Sequence, residues 1–138
     1  MISKKDVVTL RMPFPNIQAS LAVQSHMYIC LENINNQKKF IKCQTAKAQL
    51  INKVNTYIIE ESDSTRNPFL KETLLDLDKK FFLLGVKIPL LLRTSIRTNI
   101  SDILYNEILK KINVSIGKVN IDTNEFLSVN TKCYKILN

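Results

Sequence analysis

The chain has one histidine, three cysteines and no long apolar run among its 138 residues. Each scarcity excludes something. His26 alone, with Cys30, Cys43 and Cys133 and no C-x-x-C spacing, supplies too few ligands for a zinc site, and no metal or cofactor is expected. An odd number of scattered cysteines reads as reduced thiols of a cytosolic protein rather than a disulfide framework. A nucleophilic Cys30 paired with His26 is discounted, because side chains four apart on a strand lie about 13 Å from each other. The richest apolar stretch, Phe81 to Leu92, is broken by Gly85, Lys87 and Pro89 and falls short of the ~20 residues of a membrane span. The opening Met1-Ile-Ser-Lys-Lys-Asp6 lacks the apolar core of a signal peptide. The expectation is a single cytoplasmic domain over 1–138, with no membrane partner.

Acidic residues are also short, twelve against twenty lysines and arginines, which leaves a net charge of +8. The first fifty residues hold seven of the cations and only Asp6 and Glu32. Two readings stand side by side. The excess is a solubilising surface, or it faces a polyanion such as nucleic acid or an acidic protein.

What is present is strand pattern. Val8, Leu10 and Met12 alternate with Val7, Thr9 and Arg11, and Pro13 and Pro15 end that run. His26 to Leu31 is rich in strand formers. Lys38 to Thr45 places Phe40, Lys42 and Gln44 on one face and Ile41, Cys43 and Thr45 on the other. The Asn-rich turn between these runs predicts a hairpin. Residues 54–59 form a further strand candidate, and 60–68 a surface loop. Leu74 to Asp78 begins another strand with Asp76 and Asp78 on one face, while 81–88 suits either strand or a buried helix turn. One amphipathic helix is predicted over about 101–112, capped by Asn99, with Ile100, Leu104, Ile108 and Ile112 as its apolar stripe and Ile103 widening it. Residues 114–138 alternate weakly and suggest an edge strand. Arg93 and Arg97, four apart, are surface groups or a grip for phosphate or carboxylate.

Several of these segments carry a resemblance. Asp6-Val-Val-Thr-Leu-Arg-Met-Pro-Phe-Pro15 resembles the G-D-[IV]-V opening strand of the MazF/PemK-like (CcdB-type) toxins of type II toxin–antitoxin systems, with Lys5 in the glycine's place. His26-Met-Tyr-Ile-Cys-Leu31 resembles their R-P-x-[VL]-V-[IVL] strand. Ile41-Lys-Cys-Gln-Thr-Ala46 resembles the strand that ends in threonine, and Leu74-Leu-Asp-Leu-Asp-Lys-Lys-Phe81 the late strand with an acidic residue. Leu109 to Gly117 resembles the close of the final helix. The likeness covers residues 6–117, and 118–138 is a C-terminal extension of unknown role.

The resemblance implies an α+β, mainly β fold: a small bent antiparallel SH3-like β-barrel with a C-terminal helix at about 101–112. It implies a metal-independent endoribonuclease that cleaves single-stranded RNA, works as a homodimer and is inhibited by an acidic antitoxin. The family's catalytic arginine and threonine fall on His26 and Thr45, and its acidic residue on Asp78 or, less well aligned, Asp76. Met27 stands where the family has proline. Histidine can move a proton near neutral pH but lacks arginine's permanent planar fork. The alternative is therefore a non-catalytic nucleic-acid- or protein-binding module on the same fold. RNA contacts are expected from Arg11, Lys38, Lys39, Lys42 and Gln44.

Overall fold

The computed structural model describes residues 1–112 and 117–136. The fold is α+β and mainly β, built on a mixed sheet with four short α-helices among the described residues. The strands are β1 (Val7–Leu10), β2 (His26–Ile34), β3 (Gln37–Thr45), β4 (Tyr57–Glu60), β5 (Thr73–Leu84), β6 (Val86–Lys87), β7 (Gly117–Asn120) and β8 (Tyr134–Lys135). The helices are α1 (Ser20–Val23), α2 (Ala48–Ile51), α3 (Asp102–Lys111) and α4 (Thr123–Val129).

The main sheet runs β1-β2-β3-β5-β4, antiparallel at each step, and β7 joins β5 in parallel. The expected 26–45 hairpin forms, turning on Asn35 and Asn36, whose positive φ values of 52° and 64° suit asparagine. β5 is the spine. One edge pairs with β3, and the other is shared by β4 at residues 73–76 and β7 at residues 79–82. The apolar run that suited either strand or helix is therefore strand as far as Leu84, where Gly85 at φ +72° turns the chain into β6. No closed barrel forms among the described residues: β1 and β4 end the sheet, although residues 93–100 hydrogen-bond along the outer side of β1.

Both faces of the sheet are buried. One carries Val7, Ile29, Leu31, Ile41, Leu75 and Leu77 against Ile100, Leu104 and Ile108 of the α3 region. The other carries Val8, Leu10, Tyr28, Cys30, Phe40 and Phe81 against Ile121, Phe126 and Cys133. A bulge makes this possible. Phe40 pairs with Phe81 and Lys42 with Asp76, so four β5 residues answer one on β3, and β5 exchanges its faces at that point.

Two expectations are corrected here and a third is extended. Ser101, not Asn99, caps α3, its Oγ accepting from the Leu104 N–H at 3.1 Å. Ile103 is 65% exposed and lies outside the buried stripe, because Tyr105 takes the flank facing the sheet. The edge strand expected after residue 114 is present as β7, but the segment does more than add a strand: α4 drives Phe126 fully into the second core, and the Asn130 side chain clasps the Arg11 backbone N–H and C=O at 2.9 and 2.6 Å. The weak alternation anticipated from residue 114 includes 114–116 and 137–138, which lie outside the described residues.

Candidate functional site

A cleft of about 660 Å³ lies at one end of the sheet. His26 and Gln44 sit on its rim with Thr9, Thr45, Thr73, Lys47 and Lys71, and Phe69 and Met27 form part of its apolar wall. No Asp or Glu lines it, so its charge is wholly cationic among the described residues. Pro68 and Phe69 are buried ahead of β5, and the exposed Leu70 and Lys71 form a lip. Asn67 holds this approach in place: its amide donates to Glu60 at 2.7 Å and its carbonyl accepts from the Phe69 N–H at 3.0 Å. Arg66 bridges Glu60 and Glu107, fastening the 60–68 loop between β4 and α3.

The strand register decides how His26 and Thr45 relate. Met27 pairs with Cys43, which puts His26 across from Gln44, one residue short of Thr45. By alternation Thr45 shares the face of Met27 and Cys43, and His26 the other face. Both line the cleft because it wraps around the strand ends.

His26 is half-buried, and its Nδ1 lies 3.1 Å from the Gln24 carbonyl. A proton on Nδ1 makes that a hydrogen bond and leaves Nε2 as the free acceptor. Burial lowers the imidazole's pKa, the Gln24 bond opposes this, and the Lys42 charge adds to the lowering. His26 is accordingly neutral at pH 7. The Gln44 carbonyl oxygen is buried without a protein partner.

The other anticipated residues lie elsewhere. Asp78 is a structural anchor: its carboxylate accepts the Asn55 and Thr56 N–H groups, each at 2.8 Å, and holds the connection into β4. Five residues of strand, roughly 16 Å, separate it from Thr73 at the cleft. Asp76 is buried 3.9 Å from the Lys42 ammonium. Lys42 is mostly buried, and desolvation lowers its pKa against the pull of Asp76. Lys38 is 3% exposed and its ammonium donates to the Val86 carbonyl, so it presents nothing to a solution ligand. Lys39 pairs with Glu32 at 2.7 Å at the opposite end of the sheet from the cleft. Arg11 is exposed beside a smaller pocket formed with Asn130 and Lys132. Arg97 is spent on Asn99 and on the Ser64 carbonyl.

Lys47, Lys71, Thr9 and Thr73 escaped the sequence reading. They belong to three different segments, and none carries a pattern of its own. Cys30 and Cys133 are buried thiols, with pKa values pushed up to about 12 and about 11 by desolvation, and Cys43 is raised likewise. No helix among the described residues is long and apolar enough to cross a membrane. No protein-family model, curated protein or solved structure matches the chain.

Proposed function

We propose that the chain binds single-stranded RNA in the cleft at the sheet end and cleaves it as a metal-independent endoribonuclease of the MazF/PemK type. The observation that carries this is a lining with a neutral histidine, three threonines and two lysines but no carboxylate. Such a lining welcomes a phosphodiester and offers a proton acceptor beside it. In the reaction, Nε2 of His26 takes the proton from a ribose 2′-hydroxyl, and that oxygen attacks the adjacent phosphorus. The bond from phosphorus to the 5′-oxygen breaks, leaving a cyclic phosphate and, once protonated, a 5′-hydroxyl. Thr45 with Lys47 or Lys71 stabilises the charge that builds on the phosphorane, and a lysine ammonium supplies the leaving oxygen's proton.

The wider reading belongs to the same proposal: kinship with the SH3-like barrel of those toxins, a cytoplasmic location, a homodimer and an acidic antitoxin. Leu90, Leu91 and Ile96 are exposed beside β1 and favour pairing of two copies. The alternative, a binding module without catalysis, draws on the opposite-face origins of His26 and Thr45 and on the absence of arginine from the cleft. The deciding assay is cleavage of a mixed-sequence RNA in EDTA by the wild type, His26→Ala and Thr45→Ala. A loss of about 10²–10⁴ in rate, typical of an acid–base residue, is expected for His26→Ala. No cleavage by folded wild type leaves the binding module.

A further inference from the structure

We infer that the chain has a second surface for single-stranded nucleic acid, at the opposite end of the α3-covered face from the cleft, made of two lysine-flanked aromatic rings. A bulge at Leu31 brings Glu32 opposite Lys39, and Lys39 opposite Phe82 of β5. The Lys39 ammonium lies 5.2 Å from the Phe82 ring centre and the Lys118 ammonium 4.4 Å from it. On α3, Tyr105 carries Lys4 and Lys5 at 5.9 and 5.8 Å and is fixed by its hydroxyl donating to the Leu31 carbonyl at 2.8 Å. β2 and β5 are two strand spacings, about 10 Å, apart, a gap that a short extended strand of nucleic acid bridges.

The arrangement is costly for the free protein. Lys80 stands directly opposite Lys118 in the β5–β7 pair, and like charges in that position repel. Neither forms an ion pair among the described residues. Among the described residues, the five lysines Lys4, Lys5, Lys39, Lys80 and Lys118 form ion pairs with two carboxylates, Lys5 with Asp102 and Lys39 with Glu32. A polyanion relieves that repulsion, and the rings say which kind. Bases stack on aromatic faces while lysines neutralise the phosphates between them, a combination that suits an unpaired strand and gives no advantage to an acidic peptide. The inference rests on the nucleic-acid part of the proposed function and not on its chemistry, because Lys39 and Thr45 are six strand residues, about 20 Å, apart, with α3 over the residues between them.

The probe is a fluorescent twelve-nucleotide 2′-O-methyl RNA of mixed sequence, which has no 2′-hydroxyl and is not cleaved by 2′-oxygen attack. Anisotropy titrations compare the wild type with Phe82→Leu, Tyr105→Leu and the double variant Lys80→Gln/Lys118→Gln. Each ring substitution is expected to weaken binding about fivefold or more with the salt dependence unchanged. The lysine pair is expected to flatten the slope of log affinity against log salt by about 1.4, or about 0.7 for each phosphate no longer neutralised. The lysine variants alter only the surface, so they report even if a ring variant is poorly folded. Unchanged affinity and slope in all three overturns the inference. So does equal weakening of polyglutamate binding with no effect of Phe82→Leu, which makes the surface one for acidic protein. Binding lost in these variants without any RNA cleavage by the wild type upholds the surface and removes the ribonuclease reading. Cleavage lost only in His26→Ala, with this binding intact, keeps the two sites separate.

Discussion

Replacing Phe126 by alanine tests whether the last segment is part of the fold. Phe126 is fully buried among Tyr28, Phe40 and Phe81, on the face of the sheet that α3 does not cover. Its removal deletes a ring from a packed interior and leaves a cavity lined by side chains that belong to three strands. Phe→Ala changes of this kind cost about 3–5 kcal/mol. Domains are stable by about 5–15 kcal/mol in total, so the loss is a large share. With a urea slope of about 2 kcal/mol/M, a loss near 4 kcal/mol lowers the unfolding midpoint by about 2 M. The comparison is Ile108→Ala on α3, buried on the other face, with an expected cost of about 2–5 kcal/mol. Both variants should shift one shared transition. If Phe126→Ala moves the midpoint by less than about 0.3 M, within the ~0.5 kcal/mol of an ordinary surface change, then residues 118–136 are peripheral and the two-core account fails. Rapid hydrogen exchange of the α4 amides beside an unmoved main transition refutes it equally.

Asp78→Ala should destabilise the chain by about 1–3 kcal/mol, because it orphans the Asn55 and Thr56 N–H groups, while the folded fraction keeps its RNA affinity. Equal loss of affinity per folded molecule places Asp78 in the site after all. Lys38→Met should leave RNA affinity within about twofold, since its ammonium is buried on the Val86 carbonyl and neutralises no phosphate. A drop of tenfold refutes that. The pH dependence of stability has a definite sign at His26. Its folded pKa is lowered, so between that value and the ordinary one of about 6.5 the unfolded chain binds more protons. Stability is full above about pH 6.5 and is lost as pH falls through the folded value. The acidic limb of RNA cleavage should have its midpoint below about 6.5 too, and His26→Gln should flatten the stability profile across that window.

The strands, the hairpin and the main helix were legible because each is a local pattern. Alternation at Val7–Leu10 and in 38–45, two asparagines in a turn, and a four-residue apolar spacing from Ile100 to Ile112 all act over a few residues. The basic balance was likewise readable, and the hairpin brings the strand ends that carry His26 and Thr45, named through the family resemblance, to the edge of one cleft. What the chain order left undecided is everything that depends on register and on what lies across a face. The β5 bulge reverses its inward side at a point no period marks, so Phe81 and Leu77 serve different cores. Lys38 and Lys39 are neighbours of equal charge, yet one is buried against Val86 and the other lies over Phe82, because successive strand residues face opposite ways. Asp78 falls where the resemblance puts the family's acidic residue, but two backbone N–H groups from a connection more than twenty residues away claim its oxygens. Lys47, Lys71 and Thr9 join the cleft for the same reason: hydrogen bonding and packing act through space, and only the assembled sheet brings their segments to one edge.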